Sequence, residues 1–119
     1  MFIIDNRNVM KIIQGDTGVI RLKLQNYELS EGDSVIFTVI DKSLVVEMSA
    51  RTMAQDNIIR KEVTTFELDG SAVIEILSED TELLTPKTYS YDIQVNTKDG
   101  RVDTVVPANK FTVYEGISR

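Results

Sequence analysis

The sequence contains no cysteine, no histidine and no tryptophan among its 119 residues. Without cysteine there is no disulfide frame and no thiolate metal site. A small domain of that kind suits a reducing compartment. Without histidine the commonest general base and the commonest ligand of catalytic zinc are missing. Serine–histidine and cysteine–histidine nucleophile systems are therefore excluded. Positive charge is also scarce: 13 lysines and arginines stand against 19 acids, a net charge of −6. The bases are scattered, and only Arg60 and Lys61 are adjacent. No basic stripe tracks phosphates, so nucleic acid is not an expected partner. Apolar runs are only a few residues long, far short of the roughly 20 residues a membrane-spanning helix needs. The opening Met1-Phe2-Ile3-Ile4-Asp5-Asn6 meets a charge too soon for a secretory leader. Proline occurs only at Pro86 and Pro107, and each interrupts a pattern.

What the chain has is alternation. Val9 to Gln14 reads as a first strand, closed by a turn at Gly15-Asp16. Val19 to Asn26 places Ile20, Leu22 and Leu24 on one side and Arg21, Lys23 and Gln25 on the other, the pattern of a sheet with one wet face. Ser34 to Asp41 is β-branched and aromatic on both faces, which predicts a central strand. Leu44 to Met48 reads as a short edge strand, and Ser49 to Asn57 as a loop or one helical turn. Ile58 to Leu68 is a further strand with Phe66 and Leu68 on one face. Asp69-Gly70 predicts a type I′ hairpin turn into Ser71–Leu77. Ser78 is the expected N-cap of one helical turn, with Glu79, Asp80 and Glu82 near its positive end and Leu83 and Leu84 packed beneath. Pro86 disfavours helix at Thr85. From Tyr89 the period is two: Tyr89, Tyr91, Ile93 and Val95 against Ser90, Asp92, Gln94 and Asn96. Asp99-Gly100 is a second hairpin signal, Pro107 marks a bulge or a break, and Phe111 and Val113 resume the alternation.

These signals predict one all-β domain over residues 1–119, with seven to nine strands. An immunoglobulin-like antiparallel β-sandwich is the expected architecture, with a small β-barrel as the alternative. In such sandwiches a tyrosine near the start of a late strand bonds back to the corner before it. Asp80 followed by Tyr89 and Tyr91 has that order, so these three are read as a structural corner. Tyr27 and Tyr114 are read as interface candidates because tyrosine is enriched at interfaces, and Val46 and Ile59 because Leu44-Val45-Val46 and Ile58-Ile59 put apolar side chains on consecutive positions near a sheet edge; the alternative for the latter two is a central strand covered by the second sheet. Six aspartates, Asp16, Asp33, Asp80, Asp92, Asp99 and Asp103, offer carboxylates. None lies in a calcium-type loop, and a glycosidase pair would have to flank a cleft. No enzymatic activity, metal or cofactor is expected.

The order of Gln14-Gly15-Asp16-Thr17, Glu31-Gly32-Asp33-Ser34-Val35-Ile36-Phe37-Thr38-Val39, Ile74-Glu75-Ile76-Leu77-Ser78-Glu79-Asp80-Thr81 and Tyr89-Ser90-Tyr91-Asp92-Ile93-Gln94 resembles the N-terminal domain of phage baseplate upper proteins. It is similar also to small tail-associated proteins of phages and prophages of Gram-positive bacteria. The likeness runs over nearly the whole chain. Pro86-Lys87 and Pro107-Ala108-Asn109 stand where that family often has glycine. The resemblance implies a structural connector of a tail or baseplate that binds other tail proteins and itself in a homo-oligomer. It implies a virion location after synthesis in the bacterial cytoplasm, with no membrane, nucleic-acid or small-molecule partner. The alternative is a stand-alone module for carbohydrate or an extended peptide.

Overall fold

The computed structural model describes residues 1–41 and 57–117. Its strands are β1 (Phe2–Ile4), β2 (Met10–Ile13), β3 (Gly18–Leu22), β4 (Ser34–Ile40), β5 (Asn57–Val63), β6 (Ala72–Ile76), β7 (Lys87–Asn96) and β8 (Val102–Tyr114), with one helical turn α1 (Ser78–Thr81) before β7. Six strands form a curled sheet in the order β1-β2-β8-β7-β4-β5, faced by the two-stranded sheet β3-β6. The expected all-β sandwich is present, its larger sheet curling toward a half-barrel. It is not wholly antiparallel. β2 runs parallel to β8, with Met10 opposite Phe111 and Ile13 opposite Tyr114.

The core follows from the period-two patterns. Val35, Phe37 and Val39 of β4 and Tyr89, Tyr91, Ile93 and Val95 of β7 point inward. Ile20, Ile74 and Ile76 of the small sheet meet them. The rings of Phe37, Tyr91 and Phe111 form a triangle with centroids 5.6–6.5 Å apart, a spacing that favours tilted aromatic contact. β1 is an addition that the alternation did not signal. Its Phe2 ring lies flat over Gly18, where a methyl group would sit 2.6 Å from the ring.

Several expectations change in detail. Asp69-Gly70 makes a turn, but only Gly70 has positive φ (83°), so the turn is not type I′. Gly70 donates to the Glu67 carbonyl and Glu67 to that of Ser71, both at 2.9 Å. This turn carries the chain between sheets and does not close a hairpin, because β5 pairs with β4 and β6 pairs with β3. Asp99-Gly100 repeats the geometry and does close a hairpin, with Thr97 donating to Arg101 at 2.8 Å. Ser78 opens α1 but does not cap it. Leu77 is the N-cap, and its N–H donates to the Asp80 carboxylate at 2.7 Å. Leu68 and Leu83 stand fully in solvent rather than packed, whereas Phe66 and Leu84 are partly buried against the core. Pro107 sits in a bulge and β8 continues through it. The strand and loop expected over 44–56 lie outside the described residues.

Candidate functional site

The corner expected at Tyr89 and Tyr91 divides into two separate ties. The Tyr89 hydroxyl donates to the Thr85 carbonyl at 2.8 Å, bonding back to the backbone just upstream. The Tyr91 hydroxyl instead crosses the molecule and donates to the Asn8 carbonyl in the β1–β2 turn. Burial, with the Asp5 charge behind it, pushes the Tyr91 pKa up to about 12. Asp80 caps α1 and pairs with Lys61 at 2.8 Å, fastening edge strand β5 to the helical turn. All three residues are framework.

Of the four interface candidates, Ile59 is overturned. It is buried in the chain's own core. The register shifts between Val39 and Ile40, with Val39 opposite Ile59 and Ile40 opposite Asn57, so Ile58 is the extra residue of a bulge. A bulge breaks strict alternation, which explains two consecutive isoleucines without a partner. Tyr27 is half-buried and its hydroxyl donates to both Asp33 oxygens at 3.0 Å. Asp33 also accepts the Ser30 and Lys98 N–H groups at 2.9 and 2.8 Å, joining the β3–β4 loop to the β7–β8 hairpin. Burial works against the charge on Asp33, but these donors outweigh it and hold the carboxyl below its usual range. Tyr114 is exposed. Val46 lies outside the described residues.

The other carboxylates are also mostly engaged. Asp16 pairs with the N-terminal amine, and Asp99 accepts from Thr97. No group of three or more metal-ligating side chains occurs among the described residues. No helix among them is long and apolar enough to cross a membrane.

Two surfaces stand out, and both involve the β7–β8 hairpin. The first is an edge. β2 covers only Phe111–Tyr114 of β8, so along Val102–Ala108 one side of β8 has no strand beside it among the described residues. The outward backbone groups there make no backbone hydrogen bond to any described residue. Val102, Asp103 and Thr104 are exposed, and Val105 and Val106 half-buried. Such a row of free donors and acceptors is a template for an added strand.

The second is the outer face of the large sheet. Ile36, Thr38 and Ile40 of β4 and Ser90, Asp92 and Gln94 of β7 line a groove of about 400 Å³, with Ala108 on its β8 side. All six are half-buried although they face away from the core. Thr38 is directly opposite Asp92. The β7–β8 register shifts around Asp92, with Tyr91 opposite Asn109 and Ile93 opposite Val106, so Asp92 faces the Pro107–Ala108 bulge. Desolvation raises the Asp92 pKa. Further along the same face the Asn96 Oδ1 is buried with no partner among the described residues.

Neither surface was identified from the sequence. The apolar outer positions Ile36 and Ile40 are a signal in the sequence, but a central strand accounts for them equally well. β4 is indeed central within its sheet, between β7 and β5, yet Ile36 and Ile40 do not belong to the core cluster. The β8 edge had no local signal, because it exists only through the short length of β2.

A scan against protein-family models gives no match to this chain, and a search of the curated proteins gives none either.

Proposed function

We propose that this protein is a non-enzymatic structural module of a phage or prophage tail or baseplate, a connector that joins other tail proteins within a multimeric assembly. The tail-protein resemblance of the sequence motivates this reading, and the free edge of β8 is the observation that carries it. A seven-residue stretch of strand with no described strand along one side gains main-chain hydrogen bonds from a partner, while its side chains set the choice of partner. Val102, Val105 and Val106 supply apolar contact there, and Pro107, which has no N–H, limits the pairing at one end.

The same edge fits a stand-alone module that captures an extended peptide. Purification from an induced lysogen separates the two readings. A tagged copy is expected to bring down tail or baseplate proteins. Val102→Lys with Thr104→Lys, both at exposed positions, is expected to abolish that recovery without lowering the unfolding temperature, because lysines on an edge oppose strand addition. Light scattering at micromolar concentration is expected to show a multimer that the double variant loses. A strictly monomeric chain that recovers no tail protein would refute the connector.

A further inference from the structure

Asp92 occupies a position that is costly for a charge. A half-buried carboxylate is destabilising unless it is paired or hydrogen-bonded. Asp92 makes no hydrogen bond and no ion pair with any described residue, and no basic group offsets the desolvation that raises its pKa. The described strand bases on the same sheet face are Arg60, Lys110 and, out at the β2 end opposite Thr112, Lys11. Arg60 lies beyond Thr38 and pairs with Glu62 at 3.5 Å. Lys110 is opposite Ser90, one pair further along. Serine, threonine or asparagine would suit this strand position without the charge.

We propose that the outer groove is a docking site for a lysine or arginine side chain carried on an apolar segment of a partner protein, with Asp92 as its counter-charge. The inference rests on the connector reading for the partner being a protein, and it specifies that partner's chemistry. Charge complementarity selects the occupant. The chain carries −6 overall, which favours a basic partner. Ile36 and Ile40 suit the aliphatic stem of a long basic side chain. The Thr38 and Ser90 hydroxyls and the Gln94 amide oxygen can accept its remaining N–H groups. The small Ala108 side chain and the bulge beside it leave the Asp92 carboxylate approachable from the β8 side. An incoming cation loses hydration as it enters, and a paired, hydrogen-bonded carboxylate is what offsets that loss.

The test uses the full chain, labelled with nitrogen-15. The probes are capped peptides of alternating isoleucine and threonine with a single central lysine, arginine, norleucine or glutamate. The lysine and arginine peptides are expected to shift the backbone resonances of 36–40 and 90–94 saturably. The norleucine peptide should bind at least about tenfold more weakly, and the glutamate peptide should not bind. Asp92→Asn should erase the preference for a base while raising the unfolding temperature. Asp92→Lys should reverse the preference toward glutamate. Equal binding of the lysine and norleucine peptides, no binding of either, or a preference for lysine that survives Asp92→Asn would each overturn the proposal. If the preference holds but no tail protein is recovered from lysogens, the connector reading alone fails. If tail proteins are recovered equally with wild type and Asp92→Asn, and the peptides show no preference, this inference alone fails.

Discussion

Replacing Tyr91 by phenylalanine tests both the cross-molecule tie and the burial of its ring. The ring is 2% exposed and packs on Phe37 and Phe111, so the substitution keeps the packing and removes only the hydroxyl. The Asn8 carbonyl then loses its donor. Asn8 lies at the surface, where water can reach that carbonyl, so the loss at pH 7 should sit near the ordinary value of about 1 kcal/mol rather than the ~3 kcal/mol of a sealed orphan. Alkaline pH reverses the order. The folded Tyr91 pKa, pushed up to about 12, exceeds the ordinary value near 10. The folded state therefore holds a proton that the unfolded chain releases. That stabilisation is complete below pH 10 and is lost as the pH rises through 12. Two units correspond to about 3 kcal/mol. The wild type should thus lose that much more stability than Tyr91→Phe between pH 10 and 12, and the two stability curves should cross near pH ~11. Burial raises the pKa of Tyr27 and Tyr89 as well, but both are present in each protein and cancel in the difference. Urea unfolding followed by far-ultraviolet circular dichroism at a series of pH values measures it. Parallel curves from pH 10 to 12 would show that the hydroxyl is not held in a dry site.

Three further outcomes are expected. Gly18→Ala puts a methyl group 2.6 Å from the Phe2 ring, and should cost ~1–3 kcal/mol by displacing that ring, with hydrogen exchange rising first in β1. Asp33→Ala leaves the Ser30 and Lys98 N–H groups and the Tyr27 hydroxyl without their acceptor, and should cost about 3 kcal/mol at pH 7. The folded Asp33 pKa is depressed, so its contribution is present above the unfolded value near pH ~4 and fades as pH falls through the folded value. Acid titration of unfolding should accordingly be shallower in Asp33→Ala than in the wild type. Asp92 has the opposite sign: its raised pKa means that ionisation weakens the fold, so Asp92→Asn should gain little in unfolding temperature below the unfolded value near pH ~4 and progressively more as pH rises through the folded value.

Strands whose two faces differ in chemistry could be read directly from the chain. Tyr89, Tyr91, Ile93 and Val95 turn inward as their alternation demands, and Gly100 takes the positive φ that its turn requires. Where expectation departed from structure, the deciding interaction lay outside the simple alternation of the strand or turn. The Leu77 cap was hidden because Asp80, two residues past Ser78, supplies the oxygen. Ile59 seemed surplus at an edge because a one-residue bulge opposite Val39 is invisible to a period-two count. The Tyr91 tie could not be found locally, since Asn8 is 83 positions away. Asp92 was legible as a polar position on a strand, but its lack of a partner depends on what β4 and β8 place beside it.

The parallel pairing of β2 with β8 also determines how the fold bears load. The four rungs from Met10–Phe111 to Ile13–Tyr114 join strands that point the same way. Tension entering at the β1–β2 turn and leaving past Tyr114 pulls the two strands along their length in opposite senses. All four rungs then resist together, in shear, instead of opening one after another like a zipper. β1 is antiparallel to β2 and holds by three pairs, so it would peel first and leave the shear clamp intact. In single-molecule stretching this geometry should appear as a small early extension followed by one high-force rupture.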